Sequence, residues 1–125
     1  MQEIPLEQEQ MLHSICQKIY DKKGFNILTL DVRGVSNITD YFIVAEGNVE
    51  KHVQALSSAI IDELQSQLKL KPFRTEGERV GDWIVLDYGE VMVHLFISDL
   101  REKYALEQVW KEGKIVDVPV KTSIA

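Results

Sequence analysis

Several features that would mark a specialised class of protein are missing from this sequence. Cys16 is the single cysteine, which excludes an internal disulfide bond and a zinc site built from cysteines. No apolar run approaches the roughly 20 residues that a transmembrane helix needs. The Met-Gln-Glu-Ile-Pro start resembles neither a secretory signal nor an Arg-rich transit peptide. We therefore expect a soluble, cytoplasmic protein.

The sequence also has fewer cationic than acidic residues. The chain has 14 Lys and Arg residues against 20 Asp and Glu residues, for a net charge of −6 and an isoelectric point near 5.0. Nucleic-acid affinity depends on clustered cations, so we expect little direct nucleic-acid binding and favour a basic protein as partner. A composition of 45% hydrophobic and 27% charged residues predicts one globular domain over residues 1–125.

Hydrophobic periodicity predicts three helices and about five strands. The predicted helices cover 6–23, 48–69 and 99–112, and the predicted strands cover 26–32, 40–46, 72–77, 82–88 and 90–97. This order predicts an α/β domain in which a mixed sheet is flanked by helices. Asn48 is the expected N-cap of the second helix. The tail, 114–125, is either an edge strand that Pro119 limits or a mobile arm.

The two strands of the predicted hairpin, 82–88 and 90–97, alternate cleanly. In the first strand, Trp83, Val85 and Asp87 share one face, and Ile84, Leu86 and Tyr88 share the other. In the second strand, Met92, His94 and Phe96 lie opposite to Val91, Val93 and Leu95. Both faces are largely apolar, which is typical of strands that are covered on both sides. Asp87 lies near the turn, where it either meets a cation on a partner or accepts backbone N–H groups of the turn.

Patterns for catalysis are weak. His13 and Cys16 lie three residues apart on one predicted helix, but a structural zinc site takes four ligands. The sequence has no Gly-x-Ser-x-Gly elbow, no phosphate-binding glycine loop and no Asp-x-Asp pair on a predicted strand. The nearest acidic candidates are the pairs Asp31 with Asp40 and Glu76 with Glu78. We therefore expect no catalytic residue, no cofactor and no metal ion.

Large amphipathic side chains are concentrated between residues 83 and 110. Trp, Tyr and Arg dominate binding hot spots because they bury a large area and keep a polar group. We expect exposure for Trp83, Arg101 and Tyr104, whereas Phe96 and Trp110 suit the core. This concentration favours a binding module over an enzyme.

The same half of the chain also carries the most specific sequence pattern. It combines DYFIVAEGN (40–48), TEG (75–77), DWIVLDYGEVMVHLF (82–96) and REKYALEQVW (101–110). Together these segments strongly resemble the ribosomal silencing factors, also called the Iojap family, over roughly residues 10–116. One departure is Gly47-Asn48-Val49, where the family often has Gly-x-Ser.

The resemblance implies a nucleotidyltransferase-like α/β fold without the catalytic acids. It also implies a translational repressor that binds the large ribosomal subunit through its protein number fourteen and blocks joining of the small subunit. Some family members act in large-subunit assembly, and homodimers occur in the family. A large-subunit assembly factor and, less favoured, a metal-dependent nucleotidyltransferase therefore remain open alternatives.

Residue roles follow from the resemblance by motif position. The expected partner-binding residues, which contact the partner or brace the contact surface, are Trp83, Asp87, Tyr88, His94, Arg101 and Tyr104. The expected structural supports of the last helix are Glu107 and Trp110.

Overall fold

The computed structural model describes residues 3–103 and 112–122 of the 125-residue chain. The described elements are α1 (Leu6–Asp21), β1 (Phe25–Asp31), β2 (Tyr41–Gly47), α2 (Glu50–Leu68), β3 (Arg74–Glu76), β4 (Trp83–Asp87), β5 (Val91–Ile97), α3 (Ser98–Lys103) and β6 (Lys114–Ile115). The predicted order of helices and strands is confirmed up to the start of α3. The rest of the helix predicted over 99–112 leaves the described residues after Lys103.

The strands form one mixed sheet with the order β3-β4-β5-β2-β1-β6. The central pair, β2 and β5, is parallel, and every other neighbouring pair in the described sheet is antiparallel. All seven residues of β2 are buried, as expected for a central strand with both faces covered. The predicted α/β architecture, a mixed sheet flanked by helices, is confirmed.

The sheet has six strands, one more than the expected number of about five, because part of the tail joins it. Lys114 and Ile115 pair with Asp31 and Leu30 at the free edge of β1. The chain then leaves the sheet and crosses α1, where the Gln17 side-chain amide bonds both the backbone N–H (2.7 Å) and the backbone C=O (3.0 Å) of Lys121. Of the two alternatives for the tail, the structure has the edge strand, shortened to two residues.

The expected cap of the second helix is wrong by one residue. Val49, in an extended conformation, is the N-cap of α2, and no side chain caps this helix end. The backbone N–H of Asn48 instead donates to Nδ1 of His52 at 2.9 Å, and the other ring nitrogen of His52 lies 2.8 Å from the backbone oxygen of Lys22. The His52 imidazole thus satisfies the backbone N–H of Asn48, and no side chain takes the capping role that the sequence predicted for Asn48.

The sheet separates two hydrophobic cores. Helices α1 and α2 cover one face, and their apolar stripes pack on alternate residues of the strands; the largest fully buried members of this helix-side core include Leu12, Ile15, Ile19, Tyr41, Leu56, Ile60, Leu64, Ile84 and Leu95. The opposite face holds a smaller core of Leu30, Val32, Phe42, Val44, Met92 and Phe96. Leu100 of α3 packs against this second core, so α3 begins on the side away from α1 and α2.

Candidate docking surface

The sheet face opposite α1 and α2 is called the docking face below. Strand alternation sends Trp83, Val85 and Asp87 of β4 to this face, and the register places them beside Phe96, His94 and Met92 of β5. The predicted sharing of one face by Trp83, Val85 and Asp87 is confirmed. The sheet therefore brings three of the expected partner-binding residues, Trp83, Asp87 and His94, onto one surface.

An aromatic cluster of Phe42, Trp83, His94 and Phe96 occupies the centre of the docking face. The Trp83 and Phe96 rings, directly opposite each other across β4 and β5, have centroids 5.2 Å apart. The His94 ring is stacked with Phe96 at 6.1 Å and lies 5.3 Å from Phe42. Such pairs contribute beyond their buried area, so the cluster holds its members in fixed orientations.

A hydrogen bond joins the two polar members of the cluster. The indole Nε1–H of Trp83 donates to Nδ1 of His94 at 3.2 Å. Because an indole nitrogen can only donate, Nδ1 must be the unprotonated nitrogen of a neutral imidazole. Burial favours this state, since it lowers the pKa of His94 from 6.5 to about 4. Only 9% of His94 is exposed, whereas Trp83 is half-buried.

Asp87 marks the edge of the docking face beside the β4–β5 turn. Its Oδ1 accepts the backbone N–H of Gly89 at 2.9 Å, and its Oδ2 lies 3.6 Å from Nη2 of Arg74 on β3. Asp87 therefore accepts a backbone N–H of the turn, which was one of the two roles that the sequence left open for it. Its pairing with Arg74 adds a cation to this edge that sequence reasoning had not included.

Tyr88 lies on the other side of the sheet. It is 4% exposed, packs in the helix-side core, and carries a buried hydroxyl, and burial raises its pKa to about 12. The alternation of β4 already predicted that Tyr88 and Trp83 point to opposite faces. Direct contact between Tyr88 and a partner on the docking face is therefore not favoured by its placement.

The remaining expected site residues are only partly placed. Arg101 belongs to α3 and directly follows Leu100, the residue of this helix that packs against the docking face. Tyr104, Glu107 and Trp110 lie outside the described residues. Phe42, by contrast, is a cluster member that the sequence analysis missed. Its only signal was alternation within DYFIVAE, which cannot reveal that β2 lies next to β5.

Two of the candidate catalytic groups, Cys16 and Asp31, are engaged in structural contacts. Cys16 is buried with its Sγ 3.3 Å from Oγ1 of Thr29, and burial raises its pKa to about 11, so it is a poor nucleophile. Arg33 bonds both carboxylate oxygens of Asp31, at 3.0 and 2.8 Å, and holds the pKa of Asp31 below its usual range. Within residues 3–103 and 112–122, no three His, Cys, Asp or Glu side chains are grouped so that they could hold a metal ion.

Among the described residues, none of the helices combines the length and the apolarity that crossing a bilayer requires.

Comparison with known proteins places these features in a family context. The family model described as "Ribosomal silencing factor during starvation" matches residues 5–124 of the chain. The protein named "Ribosomal silencing factor RsfS" from Bacillus subtilis is 33% identical over 114 residues, which cover 90% of this chain and 95% of that protein. A crystal structure of a protein from Bacillus halodurans superposes with a TM-score of 0.77 at 32% identity, covering 87% of this chain and 98% of the other.

A more distant relative has a name that refers to ribosome assembly. "Mitochondrial assembly of ribosomal large subunit protein 1" from mouse is 30% identical over 88 residues, which cover 68% of this chain and 38% of the mouse protein.

Proposed function

The chain belongs to the ribosomal silencing factor family, and from that premise we propose that it represses translation by binding the large ribosomal subunit. The proposed contact is the docking face, and the proposed partner within the subunit is its protein number fourteen, as the family resemblance implies. A protein seated there keeps the small subunit from joining by occupying space, so the mechanism needs affinity and bulk but no chemical step.

The observation that carries this proposal is the aromatic cluster around Trp83. A half-buried Trp with a hydrogen-bonded indole nitrogen presents a large apolar surface whose orientation is already set. Such a side chain loses little conformational entropy on binding, and Trp is among the residues that dominate hot spots. We propose Trp83 as the main contact, Asp87 as an edge contact, and His94 as a support behind Trp83.

The expected contacts on the last helix complete the proposed surface. Arg101 belongs to α3, which starts on the docking face side. By motif position, Arg101 and Tyr104 are proposed to extend the contact beyond Trp83, with Glu107 and Trp110 as supports of the helix.

Charge supports a basic partner. The net charge of −6 produces a negative field around the protein, which attracts a cationic ribosomal protein over distances of about a Debye length. Rim charges of this kind mainly raise the association rate. We therefore propose that binding to the subunit weakens as salt concentration rises, and that the protein acts in the cytoplasm without a cofactor.

A role in large-subunit assembly is the second candidate. It is favoured by one observation, the name of the mouse relative, which refers to assembly of the large subunit. Docking on the same face serves both roles, because an assembly factor and a joining inhibitor each need to bind the large subunit. A metal-dependent nucleotidyltransferase is the least favoured alternative, and specific transfer of labelled nucleotide in the presence of Mg²⁺ would establish it.

The test mixes the purified protein with both ribosomal subunits and resolves them on a sucrose gradient. We expect fewer joined particles and the protein in the large-subunit fraction. Trp83→Ala should weaken binding to large subunits by at least about 1–2 kcal/mol, measured by co-sedimentation over a concentration series.

Leu6→Ala is the matched control, because Leu6 is a 71% exposed hydrophobic residue on α1, away from the docking face. If Trp83→Ala co-sediments with large subunits as the wild type does, Trp83 is not part of the contact. An unchanged profile of joined particles with the wild-type protein would contradict the blocking mechanism.

A further inference from the structure

One segment of this acidic chain is locally basic. No acidic residue lies between Glu63 and Glu76, and the interval contains Lys69, Lys71 and Arg74. No other interval between consecutive acidic residues of the sequence contains three cations. The net charge of this segment therefore has the opposite sign to that of the whole chain, which makes the segment a candidate contact for an anionic partner.

The segment that carries these cations also exposes an aromatic ring. Lys69 ends α2 in the left-handed conformation, with φ of 58°, and the chain then crosses to the edge strand β3. Lys69, Lys71, Phe73 and Arg74 are all exposed, and Phe73, at 81%, is the most exposed of the large hydrophobic residues in the described part of the chain. These four residues are called the basic edge below.

The ring of Phe73 is held in place from one side. Its backbone N–H donates to the backbone oxygen of Asp87 at 2.8 Å. The ring itself lies so close to Gly89 that a methyl group there would approach Cε2 to within 2.9 Å. Phe73 thus rests on the β4–β5 turn while most of its surface stays in water, which is the form of a stacking platform.

The basic edge adjoins the docking face. Arg74 pairs with Asp87 in the register of β3 and β4, and its guanidinium lies 3.6 Å from the Asp87 carboxylate. More than half of the Arg74 side chain, 59%, remains exposed. A partner that covers the docking face therefore brings its neighbouring surface against Phe73 and its cations.

We propose that the basic edge binds RNA, with Phe73 stacking on an unpaired base and Lys69, Lys71 and Arg74 contacting phosphates. Unpaired bases stack on aromatic side chains, and such stacking tolerates any base. Cations beside the ring neutralise the backbone of the same strand. The inference rests on the proposed function, which brings this edge to a ribosomal subunit, whose surface around its proteins is RNA.

The decisive experiment places a photo-cross-linker in the ring position. The full chain carrying Phe73→p-benzoylphenylalanine is bound to purified large subunits and irradiated. The molecule to which it cross-links is then identified. We expect a cross-link to ribosomal RNA. A cross-link to a ribosomal protein would mean an acidic protein segment as the occupant and would overturn the proposal, as would the absence of any cross-link from bound protein.

Affinity measurements provide the second arm. Phe73→Ala should weaken binding to large subunits at least about fivefold. The triple variant Lys69→Gln, Lys71→Gln, Arg74→Gln should flatten the dependence of log Kd on log salt by up to about 2. The control is Lys22→Gln, Lys51→Gln, Lys121→Gln, which removes the same charge from exposed positions elsewhere, and an equal loss of slope in this control would overturn the proposal.

A third arm separates this inference from the proposed function. If the wild-type protein does not sediment with large subunits, the proposed function fails, and binding of a labelled single-stranded RNA oligonucleotide at low salt decides the inference alone. Anisotropy that rises for the wild type and not for Phe73→Ala supports RNA binding. No rise for the wild type would overturn it.

Discussion

The two faces of the sheet are built from the same strands but differ in what they bury. The helix-side core is almost entirely aliphatic and is sealed by α1 and α2, with residues such as Ile15, Leu56 and Ile60 at 0% exposure. The docking face instead collects rings and polar groups, among them Trp83, His94 and Asp87. A stable core does not need a hydrogen-bonded Trp–His pair, so the contrast supports the proposal that the docking face serves recognition while the helix-side core mainly supplies stability.

The largest expected effect tests the sealed face. Leu56→Ala should lower the free energy of unfolding by about 2–5 kcal/mol, because it leaves a cavity that α2 and the sheet cannot fill. Val85→Ala on the docking face should cost less, because Val85 is only half-buried. Denaturant unfolding measures both, and equal costs would break the contrast between the two faces.

The next effect tests the buried imidazole of the docking face by pH. His94 takes up a proton near pH 6.5 when the chain is unfolded but only near pH 4 when it is folded. Between these values the unfolded state binds more protons, so stability is full above pH 6.5 and falls on acidification, by about 3 kcal/mol at most.

His94→Gln, which does not titrate, is the comparison for this pH series. Its free energy of unfolding should lack the fall between pH 6.5 and 4. The lowered pKa of Asp31 destabilises the fold on acidification only below its ordinary value of 3.8, outside this window. Parallel pH profiles for the two proteins would show that His94 is not the responsible group.

A smaller effect tests whether His94 orients Trp83. His94→Phe keeps a ring beside Phe42 and Phe96 but removes the acceptor at Nδ1, which leaves the half-buried indole N–H to find another partner. We expect affinity for large subunits to fall by about 1 kcal/mol, with partial recovery in His94→Gln, whose amide oxygen can accept. Equal affinities of the wild type and His94→Phe for large subunits would show that the Trp83–His94 hydrogen bond does not contribute to binding.

The smallest effect concerns the tail on the helix side. Gln17→Ala removes both hydrogen bonds to the Lys121 backbone, which should cost about 0.5–1 kcal/mol because the site is exposed. Hydrogen exchange at Lys121 should accelerate, whereas subunit binding should not change. A change in binding would show that the tail takes part in recognition, which would contradict the proposal that recognition belongs to the docking face alone.

Local patterns were sufficient for most of the elements. The helices α1 and α2 and the alternation of β4 and β5 needed only neighbours in sequence, and the structure confirms them. The predicted cap of α2 was wrong because Asn48 has good intrinsic cap propensity, while the fold begins the helix one residue later, with Val49 as the N-cap. Propensity ranks residues for a position, but tertiary contacts decide which group occupies it.

The candidate site was predictable in part for the same reason. Alternation placed Trp83 and Asp87 on one face and Tyr88 on the other, so the buried position of Tyr88 was implicit in the pattern. The aromatic cluster was not, because it requires Phe42 of β2 beside His94 of β5. The parallel pairing of these two strands joins residues about 50 positions apart, and no local signal encodes such a register.

By itself, the sequence determined the class of fold, the family and the sets of side chains that share a face, because periodicity and motif spacing are properties of neighbouring residues. The tertiary structure decided which face the helices seal, how deeply His94 is buried and what the tail covers. These depend on which distant strands meet and in which register, and the burial of His94 against Phe42 and Phe96 follows from that meeting.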